Sequence, residues 1–148
     1  MADIRFIEND LYVDTYLKIR DKVHWKKLTY EQAEKALKNS LYTVVAIEDD
    51  KILGMGRIVG DGAVICYVQD LIIVPEAQRK GVGTLIMDKL KKYVESIQLD
   101  GTEMMFDLMC AKGREQFYEK LGFVARPTKN LGPGMIQYLH KDNGQENK

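Results

Sequence analysis

The longest regular pattern in the chain starts at Val82, where Val82, Ile86, Leu90, Tyr93, Val94 and Ile97 recur on one helical face with polar residues between them. An amphipathic helix is predicted there. The run before it, Leu71-Ile72-Ile73-Val74, is too short for a helix of its own and is mostly β-branched, so it reads as a buried strand that Pro75 ends. Upstream, Ile4 to Ile7 alternates as a first strand, and Asn9 or Asp10 can cap a helix that places Tyr12, Tyr16, Ile19 and Val23 on one side. Thr29 with Gln32 forms a capping-box signature for a second helix bearing Tyr30, Ala33 and Leu37.

Leu41 to Glu48 and Lys51 to Val59 read as strands joined by an Asp49-Asp50 hairpin, with Gly54 and Gly56 thinning the second. Gly60-Asp61-Gly62 turns the chain into a strand starting near Ala63. Beyond the central helix, Met104 to Met109 is a further strand, and Arg114 to Leu121 a short helix that Gly122 stops. Phe123-Val124 and Gly134 to His140 are expected to complete the sheet. Residues 141–148 contain nothing apolar to anchor them and are expected to be an unstructured tail.

At 148 residues the chain suits one domain, residues 1–140. Lys plus Arg and Asp plus Glu are both 22, and the basic residues are scattered, which argues against a nucleic-acid partner. No apolar run approaches the length of a membrane span, and MADIRFIEND lacks a signal peptide's basic start and apolar core, so a cytoplasmic protein without a membrane partner is expected. Cys66 and Cys110 lie in apolar runs and read as reduced, buried small hydrophobes. With His24 and His140 they show no ligand spacing, so no metal is expected.

The turn Gln78-Arg79-Lys80-Gly81-Val82-Gly83-Thr84 is the first candidate for chemistry. A helix N-terminus has amides without intrahelical acceptors and partial positive charge, glycine admits a phosphate close to the backbone, and Arg79 and Lys80 add full charges. A ligand bearing a pyrophosphate fits such a turn, as does an ordinary strand-to-helix turn with solvated basic residues. Two other phosphate loops are excluded: Lys80 precedes Gly81 where a P-loop lysine would follow its glycine, and Ile86 stands where a dinucleotide fingerprint needs its third glycine.

Gln78, Gly81 and Gly83 after a strand resemble motif A of the GNAT (Gcn5-related N-acetyltransferase) superfamily, and Phe117-Tyr118-Glu119-Lys120-Leu121-Gly122-Phe123 resembles its motif B. The resemblance spans roughly Ile4 to Leu139. It implies an α/β (α+β) fold whose mixed, mostly antiparallel sheet of about seven strands is splayed between strands 4 and 5, with about four helices. It also implies acetyl-CoA as cosubstrate. Gln78 to Thr84 would grip the diphosphate, and Leu71, Ile72, Ile73 and Val74 would meet the pantetheine arm, with an N–H near Ile72 as oxyanion donor.

The same resemblance makes Tyr118 the proton donor to the departing thiolate. Many members carry an asparagine seven residues before this tyrosine; Ala111 stands there, followed by Lys112, which either reaches the phosphates or is solvated. The loop of His24 and Trp25, with Tyr30, would wall the acceptor pocket, or Trp25 simply packs the helix pair. Gln69-Asp70 interrupts an apolar strand as a bulge would. Asp70 is either a structural hydrogen-bonder or a base acting directly or through water, and His24 and water are further candidates for the base.

The function implied is acetyl transfer to a primary amine of a small molecule, an amino acid, short peptide or arylalkylamine, by direct attack in a ternary complex. A covalent route through Cys66 or Cys110 is the rival chemistry. Protein N-termini or lysines as acceptors, and a module that holds acyl-CoA without turnover, are the alternatives. A homodimer through the last strands is a further expectation.

Overall fold

The computed structural model describes residues 3–142, and the chain falls into two units, residues 1–109 and 110–148. The first unit holds β1 (Arg5–Glu8), α1 (Val13–Lys22), α2 (Tyr30–Lys38), β2 (Tyr42–Glu48), β3 (Lys51–Gly60), β4 (Ile65–Ile73), α3 (Val82–Ile97) and β5 (Met105–Leu108). The strands form one sheet in sequence order, antiparallel except for the parallel pair β4 and β5. Short-range signals explain most of this. Asp49 and Asp50 both take positive φ, 49° and 63°, which gives the twist a two-residue hairpin needs. Asp61 Oδ1 accepts from the N–H groups of Ala63, Val64 and Ile65, which closes the next turn and holds its carboxyl below the usual range.

The two faces of the sheet are covered by different helices. Val45, Met55 and Ile72 pack with Tyr16, Ile19 and Ala33 of α1 and α2. On the other face, a Cβ at Gly56 would meet Ile86 Cγ2 at 2.8 Å and Leu90 Cδ1 at 3.0 Å, so this glycine lets α3 lie close against β3. Val82, Ile86, Leu90 and Val94 are buried beneath α3. Each such side chain contributes roughly 1.5–3 kcal/mol of transfer free energy.

Two local expectations change, those for Asn9 and Cys110, while the Thr29 cap stands. Asn9 does not cap α1: it sits at φ 57° with its Oδ1 accepting from Thr43 N–H at 3.1 Å, and Tyr12 precedes the helix without a side-chain cap. Thr29 does cap α2, accepting from Gln32 N–H at 3.0 Å. Cys66 is buried but Cys110 is exposed, because β5 ends at Leu108.

The second unit, within its described residues, holds α4 (Glu115–Lys120) and irregular chain. Phe123-Val124 and Gly134 to His140 form no strand there. A strand exists only where another backbone pairs with it, and an apolar pattern cannot reveal a missing partner. Met135, Ile136, Tyr138 and Leu139 are instead exposed. The tail expected over residues 141–148 lies, from residue 143 onward, outside the described residues.

Candidate active site

The parallel ladder between β4 and β5 runs from Ile65↔Met105 to Val68↔Leu108 and stops. β4 continues to Ile73, so its last residues have no β5 neighbour. This is the splay. Val74 N–H is bonded to Leu53 O at 2.9 Å, and peptide groups alternate sides along an antiparallel strand, so those of Ile72 and Val74 turn toward β3. Their side chains are buried as well. Leu71 and Ile73 are therefore the members of the expected run whose backbone groups face the opening. The Ile73 carbonyl already accepts from Gln78 Nε2 at 3.1 Å, which fastens the turn to the strand end.

A short 3₁₀ turn, Pro75–Ala77, then leads to the start of α3. Gly81 is its N-cap at φ 82°, a left-handed geometry that costs a residue with a Cβ roughly 1 kcal/mol or more. Arg79 takes φ 66°. The first helical bond comes from Leu85 N–H to Gly81 O, so the amides of Val82, Gly83 and Thr84 have no acceptor within the helix. The Val82 side chain is buried, while Gln78, Arg79, Lys80, Gly81 and Thr84 are exposed and Gly83 is half-buried. An anion at this end would meet three amides, the helix dipole and two cationic side chains, so these residues fit a diphosphate.

Gln69 is the extra residue of a bulge: Arg57 pairs with Asp70 and Ile58 with Val68. The bulge resets the alternation, so Val68 stays under α3 while Asp70 turns into the layer between the sheet and α1. There Asp70 is fully buried, accepting from Tyr16 Oη at 2.6 Å and Arg57 Nε at 2.6 Å, with Arg20 Nη1 at 3.5 Å. Burial, then the Asp70 charge, pushes the Tyr16 phenol up to about 12. A carboxylate held by a phenol and two guanidinium groups is a strong structural centre. Gln69 itself is exposed.

Arg20 carries that centre outward. Its Nη2 donates to Lys26 O at 2.8 Å and its guanidinium lies 5.3 Å from the Trp25 ring centroid, so the α1–α2 loop is tied through Arg20 to Asp70. A cavity of about 290 Å³ opens beside this loop, lined by Leu17, Trp25 and Leu28 with Lys18, Arg20, Asp21, Lys26 and Lys27. His24, at φ 58°, and Tyr30 are exposed and do not line it.

In the second unit, the Phe117 to Phe123 segment has a specific physical basis. Phe123 N–H bonds Tyr118 O at 3.1 Å and Gly122 N–H bonds Glu119 O at 3.0 Å, the two bonds of a Schellman end to α4. Gly122 supplies the φ of 97° that this end requires, and the Phe123 ring meets the Tyr118 ring edge-on at 5.9 Å. The motif's glycine and its two aromatics thus fix the tyrosine on a short, capped helix. Burial first, and then Cys110, raises the Tyr118 pKa, which keeps the phenol protonated at neutral pH. Ala111 and Lys112 are exposed. The Gly122→Ala variant is expected to lose roughly 1–2 kcal/mol, read as a lower urea midpoint at unchanged slope.

One residue here escaped the sequence reading. Asp107, on β5 beside Tyr67 of β4, has its Oδ1 buried with no hydrogen-bond partner among the described residues, and burial raises its pKa. A single acid inside the apolar run MFDLM was the available signal. The two thiols are also raised mainly by burial, which disfavours the thiolate a covalent route needs. Among the described residues no group of three or more His, Cys, Asp or Glu could hold a metal ion, and no helix is long and apolar enough to cross a membrane.

The fold and these motifs agree with comparison to known proteins. The family model described as an acetyltransferase (GNAT) domain matches residues 14–133. The solved GNAT family acetyltransferase of Streptococcus pneumoniae shares 27% identity at a TM-score of 0.78, over 94% of this chain and 100% of that one. The uncharacterized N-acetyltransferase ycf52 of Pyropia yezoensis is 26% identical over 72% of this chain, and the GCN5-related N-acetyltransferase 2, chloroplastic, of Arabidopsis thaliana 27% over 72%. The chain spans 62% and 48% of the lengths of those two relatives. With a model match across most of its length, a splayed β4–β5 pair and both motifs in order, this chain belongs to the GNAT acetyltransferase family.

Proposed function

We propose that the chain transfers the acetyl group of acetyl-CoA to a primary amine of a small molecule, by direct attack in a ternary complex. The observation that carries the reading is the continuity of β4: its edge loses its neighbour after Val68 and leads, through one short turn, to the free amides of Val82, Gly83 and Thr84. An extended arm ending in a diphosphate matches that sequence of groups. Bound acetyl-CoA supplies an activated acyl carbon with a thiolate as leaving group.

The protein's part is to hold and polarise. Outward backbone groups at Leu71 and Ile73 pair with the arm, and a backbone N–H directed at the carbonyl oxygen stabilises the charge that develops there. Tyr118, protonated at neutral pH, gives its proton to the departing sulfur. The cavity beside Trp25 receives the acceptor. Lys18, Arg20, Lys26 and Lys27 against the single Asp21 favour, within the amino-acid and short-peptide class, an acceptor that also carries a carboxylate.

A thiol-release assay with an amine panel tests this. Turnover is expected with small primary amines, and an amino acid should show a KM at least about tenfold below that of its decarboxylated twin. Thiol release that no amine accelerates would contradict the reading. We also propose a homodimer through residues 134–140, since Met135, Ile136, Tyr138 and Leu139 are exposed together. Sedimentation should then give twice the chain mass, and a monomer would refute it.

A further inference from the structure

We propose that Asp107 takes the proton an acceptor ammonium must lose before it can attack, an assignment that rests on the acetyl-transfer reading and fills the role of base. Asp107 is the residue before Leu108, where pairing with β4 ends, so its carboxyl lies about two residue rises, roughly 7 Å, from the first unpaired level. Parallel neighbours share a face, which sets Asp107 with Tyr67 and opposite Cys66 and Phe106. Cys66 faces α3, where the Tyr93 phenol is raised by burial first and then by Cys66. Asp107 therefore stands on the face that carries α1, α2 and the Trp25 loop.

A buried carboxylate oxygen without a hydrogen-bond partner among the described residues costs stability unless something fills the place. An ammonium is the group that satisfies it best. Tyr67 is the ionisable group beside it on the same face of β4, the Cys66 thiol lies on the other face, and no basic side chain contributes to its shift. Burial thus raises its proton affinity toward that of a useful base without neutralising it through an ion pair. Asp70, on the same face, is instead ion-paired to Arg57 and Arg20.

The ammonium gives one proton to Asp107, its lone pair forms the N–C bond, and the C–S bond breaks as the adduct collapses. The nitrogen sheds its second proton while the sulfur gains one, and Asp107 returns its proton to water.

The test uses the full chain and the amine that the wild type acetylates fastest, from about pH 5 to about pH 9. Wild-type kcat/KM should fall on the acid side. In Asp107→Asn this limb should vanish and kcat should drop about 100-fold or more, with the acetyl-CoA dissociation constant within about twofold. Because the folded carboxyl is raised, the native state binds more protons than the unfolded chain above the ordinary carboxylate pKa, so its ionisation costs stability as pH rises. Asp107→Asn should accordingly melt no lower than wild type at neutral pH. A variant with unchanged kcat, with the acid limb intact, or with a lower melting point would overturn the proposal. A wild type that acetylates no amine would remove the parent reading as well, which separates the two failures.

Discussion

The Tyr118→Phe variant is expected to turn over about 100-fold more slowly than wild type while binding acetyl-CoA with the same affinity. Only the hydroxyl is removed. The ring contacts at 5.0 Å to Phe117 and 5.9 Å to Phe123 persist, and so does the Schellman end of α4, because its bonds are backbone bonds. The loss should therefore appear in kcat, and an acceptor assay paired with calorimetry separates it from binding. Equal losses in both would make Tyr118 a binding residue, and no loss would assign proton donation to another group. Since burial raises the phenol, the basic limb of wild-type kcat should lie above the ordinary tyrosine range and be absent from the variant.

The Asp70→Ala variant is expected to lose about 3–5 kcal/mol of stability, or roughly 10 °C in Tm. Its removal leaves the Arg57 guanidinium, 8% exposed, buried without its carboxylate, and strips Tyr16 Oη of its acceptor. Arg57 keeps bonds to Ala36 O at 3.2 Å and Ser40 Oγ at 3.0 Å, neither of which offsets a charge. The Tyr16 phenol, no longer facing an anion, should titrate below about 12 by ultraviolet difference spectra. Replacing Asp70 and Arg57 together by apolar residues should recover much of the loss, since the penalty comes from the orphaned charge. A stable Asp70→Ala chain with unchanged Tyr16 titration would show that the cluster does not order this layer. Arg20 also loses its anchor, so KM for the acceptor should rise as the Trp25 loop loosens.

These residues show what the sequence could and could not reveal. Hairpins, the α2 cap and the Gln69 bulge were legible because each is set by a few adjacent residues: Asp49-Asp50, Thr29 with Gln32, and one polar pair inside an apolar strand. Gly122 was legible as a helix stop for the same reason. The partners of Asp70 were not, since Tyr16 lies 54 positions away and Arg20 lies 50, and no spacing rule links an α1 phenol to a β4 carboxylate. Nor was the division of β4, where alternation gives Leu71 and Ile73 to the opening and Ile72 and Val74 to the core. That depends on which peptide groups β3 takes. Asp107 went unnoticed because its significance is a missing partner, which only packing discloses. Asn9 misled because a good capping side chain found a stronger use on β2.

Titration calorimetry of acetyl-CoA into the wild-type chain and the Gly81→Val variant addresses the central claim that the start of α3 clasps the diphosphate. The account predicts saturable one-to-one binding by the wild type, competed by inorganic pyrophosphate. The variant, whose φ of 82° a β-branched residue cannot hold without strain, should bind at least about tenfold more weakly. Equal affinity in both chains, or no heat of binding from the wild type at millimolar coenzyme, would contradict it.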